Sequence, residues 1–284
     1  MRSVPAIDSV ETPSGKGAAD ENFPVGSRLL PARLRPHVAA FYAYARAIDD
    51  VADSPDLAPD EKVRRLEGFA RAIRGEEKDD PVYEKAHRLR QSLAQTKVSF
   101  VHCTDLVDAF KQDATKLRYS DWQDLMRYCD RSAAPVGRYL LDLHGEPAAN
   151  YPPSDALCNA LQVLNHLQDC KEDYLRLGRV YLPEPWLAEA GASLEDLAAP
   201  SASFALRRVI DRCLDGVEAL LVTAHRLPDV LGNRFLAMES AVIVAIAEAL
   251  TRKLRRRDPL AGRVVLTRME YAFCFLRGVG RALW

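Results

Sequence analysis

The chain has no CxxC pair, no G-x-G-x-x-G fingerprint, no convincing run of alternating apolar and polar residues, no short-period repeat and almost no net charge. Each absence removes a class. Its six cysteines, Cys103, Cys129, Cys158, Cys170, Cys213 and Cys274, are scattered, which fits reduced cytosolic thiols better than a disulfide frame or a zinc site. A formal charge of -1 over 284 residues gives no bulk attraction to nucleic acid. The most apolar run, SAVIVAIAEAL at 240–250, is too short to span a bilayer and carries Glu248, so it reads as a core helix. The first residues lack the apolar centre of a secretion signal. The expected location is cytoplasmic, with room for peripheral contact at the inner membrane.

What is present is helical period, repeated along most of the length. Residues 1–20, rich in small and turn-forming types, read as a flexible N-terminal arm, and residues 21–284 as one all-α domain with helices around a central apolar cavity. Charged amphipathic segments fall at about 60–74, stopped by Gly75, and at about 82–96 and 103–117. Ser120 with Gln123 makes a capping box for a helix running to about His144, and Ser154 reads as the cap of the next. Further helices fit about 203–226, 229–256 and 260–281.

Two of these helices carry carboxylates where core residues would be ordinary. In ARAIDDVAD (45–53), Asp49 and Asp53 are four residues apart and share a helical face. Arg46 lies nearly one turn earlier on that face, while Phe41, Tyr44, Ile48 and Val51 fill much of the rest. In LQVLNHLQDCKEDYLRLGRVYLP (161–183), Asn165, Asp169 and Asp173 form a second stripe, extended by Gln162 and Arg176 and flanked by Leu161, Leu164 and Leu167. One D-x-x-x-D stripe is usually a solvated face. Two, each bordered by apolar residues, point to cations, because four facing carboxylates would repel. Oxygen ligands without histidine or thiolate suit Mg²⁺, with Mn²⁺ as a substitute, and Mg²⁺ shares its shell with water and phosphate oxygens. The spacing therefore predicts a diphosphate held by Mg²⁺ bridged to two acidic helices, with Arg46 and Arg179 adding direct phosphate contacts.

The pair DDVAD and NHLQDCKED…RVYLP resembles the two motifs of the squalene/phytoene synthase family, and the resemblance runs from about residue 22 to about 281. LLPARLRPHVAAFYAYARAIDDVAD is similar to the family's lead-in, and YCDRSAAPVG (128–137) to the segment between the motifs. The resemblance implies an isoprenoid synthase fold, Mg²⁺, and isoprenoid diphosphates in a long apolar tunnel. It assigns metal binding and catalysis to Asp49, Asp53, Asp169 and Asp173. It also places Asp50, Arg46, Tyr128, Asn165 and Arg179 against the substrate diphosphate or its metals, and matches Asp113 to a further acidic position.

The chain departs from the common pattern at Ala133-Ala134-Pro135-Val136-Gly137, and at His166 and Gln168. ENFPVGSRLLP, LNHLQDCKEDY and RRRDPLAGRVVL together resemble the hydroxysqualene synthase branch of bacterial hopanoid biosynthesis. That branch implies presqualene diphosphate as substrate, diphosphate release, rearrangement and capture of water, with no NADPH. It implies an upstream presqualene diphosphate synthase and a downstream flavin-dependent reductase as partners, and no nucleic acid. The alternative is a head-to-head condensing synthase making presqualene diphosphate, squalene or phytoene. A helical partner without catalysis would be expected to lose the acidic pairs, which are intact. His166 and Gln168 are candidates to hold the captured water, against the plainer expectation that His166 is a surface residue beside the site. RKLRRR (252–257) reads as a solvated basic face able to meet anionic lipid.

Overall fold

The computed structural model describes residues 30–283, so the arm at 1–20 and the start of the lead-in lie outside the described residues. Among them every regular element is helical, and strand-like pairing is confined to a bridge between Tyr119 and Pro183. The all-α expectation holds. The described chain divides into two compact units, residues 31–115 and residues 116–283 together with Leu30.

The first unit holds α1 (Arg35–Asp53), α2 (Pro59–Arg74), α3 (Glu84–Thr96) and α4 (Val101–Asp113). α1 turns Val38, Phe41, Tyr44, Ile48 and Val51 inward at helical spacing, and all five are buried. Tyr44 meets Phe69 of α2 edge to face with ring centres 6.0 Å apart, and its hydroxyl donates to the Cys103 carbonyl of α4 at 3.3 Å. Phe69 in turn meets Tyr83 at 5.2 Å. α2 ends where expected, at Gly75, whose φ of 81° is the left-handed conformation that glycine adopts without steric cost. The leucines Leu66, Leu89 and Leu106 complete the core.

The second unit is built on α7 (Tyr151–Leu177), about 40 Å long. Before it come α5 (Trp122–Ser132) and α6 (Ala134–His144). After it come α8 (Glu184–Ala190), α9 (Phe204–Ala224), α10 (Leu227–Val230), α11 (Arg234–Arg256) and α12 (Arg268–Leu283). α7 packs against α6, α9 and α11, while α11 pairs with α12. Gly278 makes the last pairing close, because a Cβ there would stand 2.5 Å from the Val242 backbone. Trp122 and Trp186 stack at 5.7 Å, Arg212 caps the pair at 4.1 Å, and Gly216 leaves room for the Trp122 ring.

Several boundaries differ from the sequence reading. The helix expected from Ser120 to His144 is two helices, broken at Ala133. Pro135 has no amide to donate back to the Arg131 carbonyl, so the ladder of α5 stops there, and it sits in the first turn of α6, where no such donor is needed. The cap of α5 is Asp121, which accepts from the Asp124 amide at 2.6 Å, while Ser120 donates to the Asp124 carboxylate at 3.1 and 3.3 Å. α7 starts upstream of Ser154, with Asn150 as its preceding residue and two prolines in its first turn. The late helices begin at Arg234 and Arg268, after an Asn233 cap and a loop respectively.

Candidate active site

The aspartates of the first stripe stand at the C-terminal end of α1, with Asp53 as its last residue and no basic residue in the last turn. The helix macrodipole places partial negative charge at that end, so three carboxylates there oppose it unless cations compensate. One compensation is built in. Arg46 reaches Asp49 with Nη1 at 2.8 Å and Asp50 with Nη2 at 2.9 Å, a single guanidinium forked over two carboxylates. Asp50 is buried, whereas Asp49 and Asp53 are half-buried and keep access to solvent. Asp113, near the end of α4, is buried. Tyr44 and Phe41 are core residues, as ordinary packing implies, and Tyr42 is half-buried.

In the second unit, Asp169 and Asp173 lie in the last third of α7, again toward the negative end. Asp169 is gripped by Arg263, with Nε to Oδ1 at 2.8 Å and Nη2 to Oδ2 at 3.2 Å. Arg263 comes from the loop between α11 and α12. Gln168 fixes that loop by donating to the Val264 carbonyl at 2.5 Å from a buried position. Gln168 thus anchors the arginine that meets its neighbour. Cys170, beside both aspartates, has its thiol pushed up to about 12, first by burial and then by the Asp173 charge.

α7 ends at Gly178, φ 64°, and the chain turns back so that the Arg179 amide donates to the Asp173 carbonyl at 3.2 Å. This turn carries buried Arg179 and Tyr181 onto the side of α7 that presents His166. The His166 ring stacks on Tyr181 at 3.5 Å and 11°, and Tyr128 from α5 joins them, 5.7 Å from Tyr181 and 6.0 Å from His166. Tyr119 closes the cluster, stacked on Tyr181 at 5.5 Å. The surface expectation for His166 is therefore corrected. It is buried, because the segment returning after Gly178 covers it. The Gln162 amide donates to its Nε2 at 3.1 Å, so the ring accepts there as the neutral form. Burial, and then the nearby Arg179 charge, lower its pKa to about 3.

That shift predicts a pH dependence of stability. In the unfolded chain His166 takes a proton near pH 6.5, whereas in the folded protein it waits until about pH 3. Between these values the unfolded state holds one more proton, so stability falls as pH drops through the window, by up to about 1.4 kcal/mol per pH unit. His166→Gln should flatten the slope of unfolding free energy against pH between about 6 and 4 in urea titrations. A slope equal to the parent's would remove His166 as its source.

The structure thus gathers Tyr128, His166, Arg179 and Tyr181 in one unit, with the half-buried Asn165, Asp169 and Asp173 on the same helix as His166. It does not bring in Arg176, which is exposed and pairs with Glu172 at 2.9 Å. Among the described residues no three or more His, Cys, Asp or Glu side chains converge as a ready metal cage. The donor chemistry nevertheless fits Mg²⁺: each stripe offers half-buried carboxylates at a helix end that needs compensating positive charge, and Mg²⁺ completes its shell with water and phosphate oxygens. Arg263 was missed as a site residue. It lies 94 residues from Asp169, and no local spacing signals the pair.

The chain is similar to known proteins over most of its length. The squalene/phytoene synthase family matches residues 17–270. A hydroxysqualene synthase of Rhodopseudomonas palustris is 41% identical over 261 residues, covering 92% of this chain and 88% of that protein. One of Zymomonas mobilis is 40% identical over 271 residues, covering 94% and 90%. The solved structure of squalene synthase HpnC from Alicyclobacillus acidocaldarius superposes with a TM-score of 0.71 at 34% identity, covering 82% of this chain and 87% of that one.

Proposed function

The chain belongs to the squalene/phytoene synthase family, and on that premise we propose that it is a hydroxysqualene synthase acting on presqualene diphosphate. The observation that carries the reading is the similarity, across more than nine-tenths of the chain, to two hydroxysqualene synthases. In this reading Asp49 and Asp53 on α1, and Asp169 and Asp173 on α7, hold Mg²⁺, with Mn²⁺ able to replace it. When bound, the metal neutralises charge that builds on the departing diphosphate.

The chain's own groups do the remaining work. Arg46 and Arg179 hold phosphate oxygens, Asp50 keeps the Arg46 fork aimed, and Tyr128 and Asn165 offer a hydroxyl and an amide to the diphosphate or its inner waters. The C–O bond breaks with its electron pair leaving on the diphosphate. The cyclopropylcarbinyl cation rearranges among apolar and aromatic side chains that withhold bulk water and offer π faces. One water then adds its oxygen to the carbon and loses a proton, for which the released diphosphate is an adequate base. The sequence of steps is redox-neutral, so no NADPH is consumed. Overall this is lyase chemistry at a carbon–oxygen bond. The upstream and downstream enzymes, a presqualene diphosphate synthase and a flavin-dependent reductase, follow as partners of the same proposal.

A second reading, a condensing synthase, is favoured by the likeness to the Alicyclobacillus squalene synthase. Products separate the two. Purified protein with Mg²⁺ is expected to turn presqualene diphosphate into hydroxysqualene, detected by mass spectrometry, and to leave farnesyl diphosphate unconsumed. Presqualene diphosphate or phytoene formed from simple prenyl diphosphates, or squalene formed only with NADPH, would decide for the condensing reading.

A further inference from the structure

α12 faces the wrong way for a globular helix. Its inward positions are Cys274 and Gly278, both buried against α11. Its outward positions Met269, Phe273 and Leu276 recur at i, i+4 and i+7, and are 84%, 65% and 70% exposed. Ala272 is exposed on the same side, and Val265, just before the helix, is also exposed. Single exposed apolar residues are normal, but a contiguous stripe along a helix is not.

The charge around the stripe identifies its occupant. Residues 248–281 carry nine arginines and lysines against three acidic residues; Arg255, Arg263 and Arg281 pair with Asp215 and Glu218, Asp169 and Asp229 on other elements, which leaves exposed Arg256, Arg257 and Arg268 as the basic flank. Arg277 flanks the stripe on one side, where Glu248 is shared by Arg277 at 2.5 Å, Arg252 at 3.7 Å and His225 at 2.7 Å, so positive charge exceeds negative there. Arg268 flanks it on the other side and is exposed, as are Arg256 and Arg257 of the preceding basic run. Among the described residues no helix is long and apolar enough to cross a membrane. An apolar stripe with basic flanks, lying along the helix, is the pattern of a helix that beds into the headgroup boundary of an anionic bilayer. A second copy is a poor occupant, because packing the same stripe against itself about a two-fold axis would bring the arginine flanks of both copies, Arg268 among them, together.

We infer that the outer face of α12, through Met269, Phe273 and Leu276 and their arginine flanks, is a docking surface for anionic membrane lipid. The inference is independent of the reaction, so failure of one leaves the other standing.

The full-length protein, sedimented with phosphatidylglycerol vesicles, should pellet with them and remain in solution with phosphatidylcholine vesicles. Added salt should weaken the association. The triple variant Met269→Ser, Phe273→Ser, Leu276→Ser should keep the parent's circular dichroism and melting, since these side chains pack on little, yet bind at least about tenfold more weakly. Three results would overturn the inference: a wild type that ignores both vesicles, a triple variant that pellets as well as the parent, or a wild-type dimer that the triple variant dissolves.

Discussion

Asp169→Asn is expected to slow Mg²⁺-dependent release of diphosphate by a factor on the order of a hundred to a thousand, while the fold survives. The substitution keeps size and a hydrogen-bonding oxygen but removes the negative charge. Arg263, the present partner of Asp169, is 48% exposed, so it returns to water at little cost. The melting temperature should stay close to the parent's, and the loss would then lie in the chemistry. Metal titrations should show a raised Mg²⁺ requirement, in line with one fewer hard anionic donor. Glu172→Gln is the matched control: it sits on the same helix, is exposed, and pairs only with Arg176 at 2.9 Å among the bonds seen. Asp49→Asn should behave as Asp169→Asn does. Full Mg²⁺-dependent turnover by either aspartate variant would remove the metal assignment to that stripe.

How much of this was legible beforehand follows from the range of each interaction. The α1 stripe was, because Arg46, Asp49 and Asp50 lie within four residues and helical geometry alone brings them together. The stop of α2 at Gly75 was legible for the same reason, since one residue's backbone freedom decides it. The break at Ala133 was hidden by a plausible capping signal upstream, although Pro135 carried the warning. The surroundings of His166 could not be read locally. Its burial depends on Tyr181, fifteen positions on, returning after a glycine turn. The Arg263 and Gln168 contacts span 94 and 96 residues, and the packing of α11 beside α7, which brings the loop after α11 to that helix, creates them. The candidate site is therefore half local pattern, which the motifs display, and half tertiary closure, which they do not.

Arg46 provides the second large effect, and it separates charge from geometry. Arg46→Ala removes the guanidinium that Asp49 and Asp50 share at the negative end of α1, with the Asp50 side chain only 11% exposed. Loss of the forked pair should cost stability by about 2 kcal/mol, visible as a lower urea midpoint at unchanged slope. Under conditions where the variant is fully folded, kcat/KM for diphosphate release should still fall by about a hundredfold or more, because a phosphate contact goes with it. Arg46→Lys is the informative partner. It restores a positive charge, so stability should largely recover, but a single ammonium cannot span Asp49 and Asp50 as the planar fork does. Its kcat/KM should therefore stay well below the parent's. Added Mg²⁺ should raise the melting temperature of the alanine variant more than that of the parent, since one positive charge beside Asp49 and Asp50 has been removed. Parental kcat/KM in the lysine variant would show that charge alone suffices at this position, and the two-oxygen grip would lose its catalytic meaning.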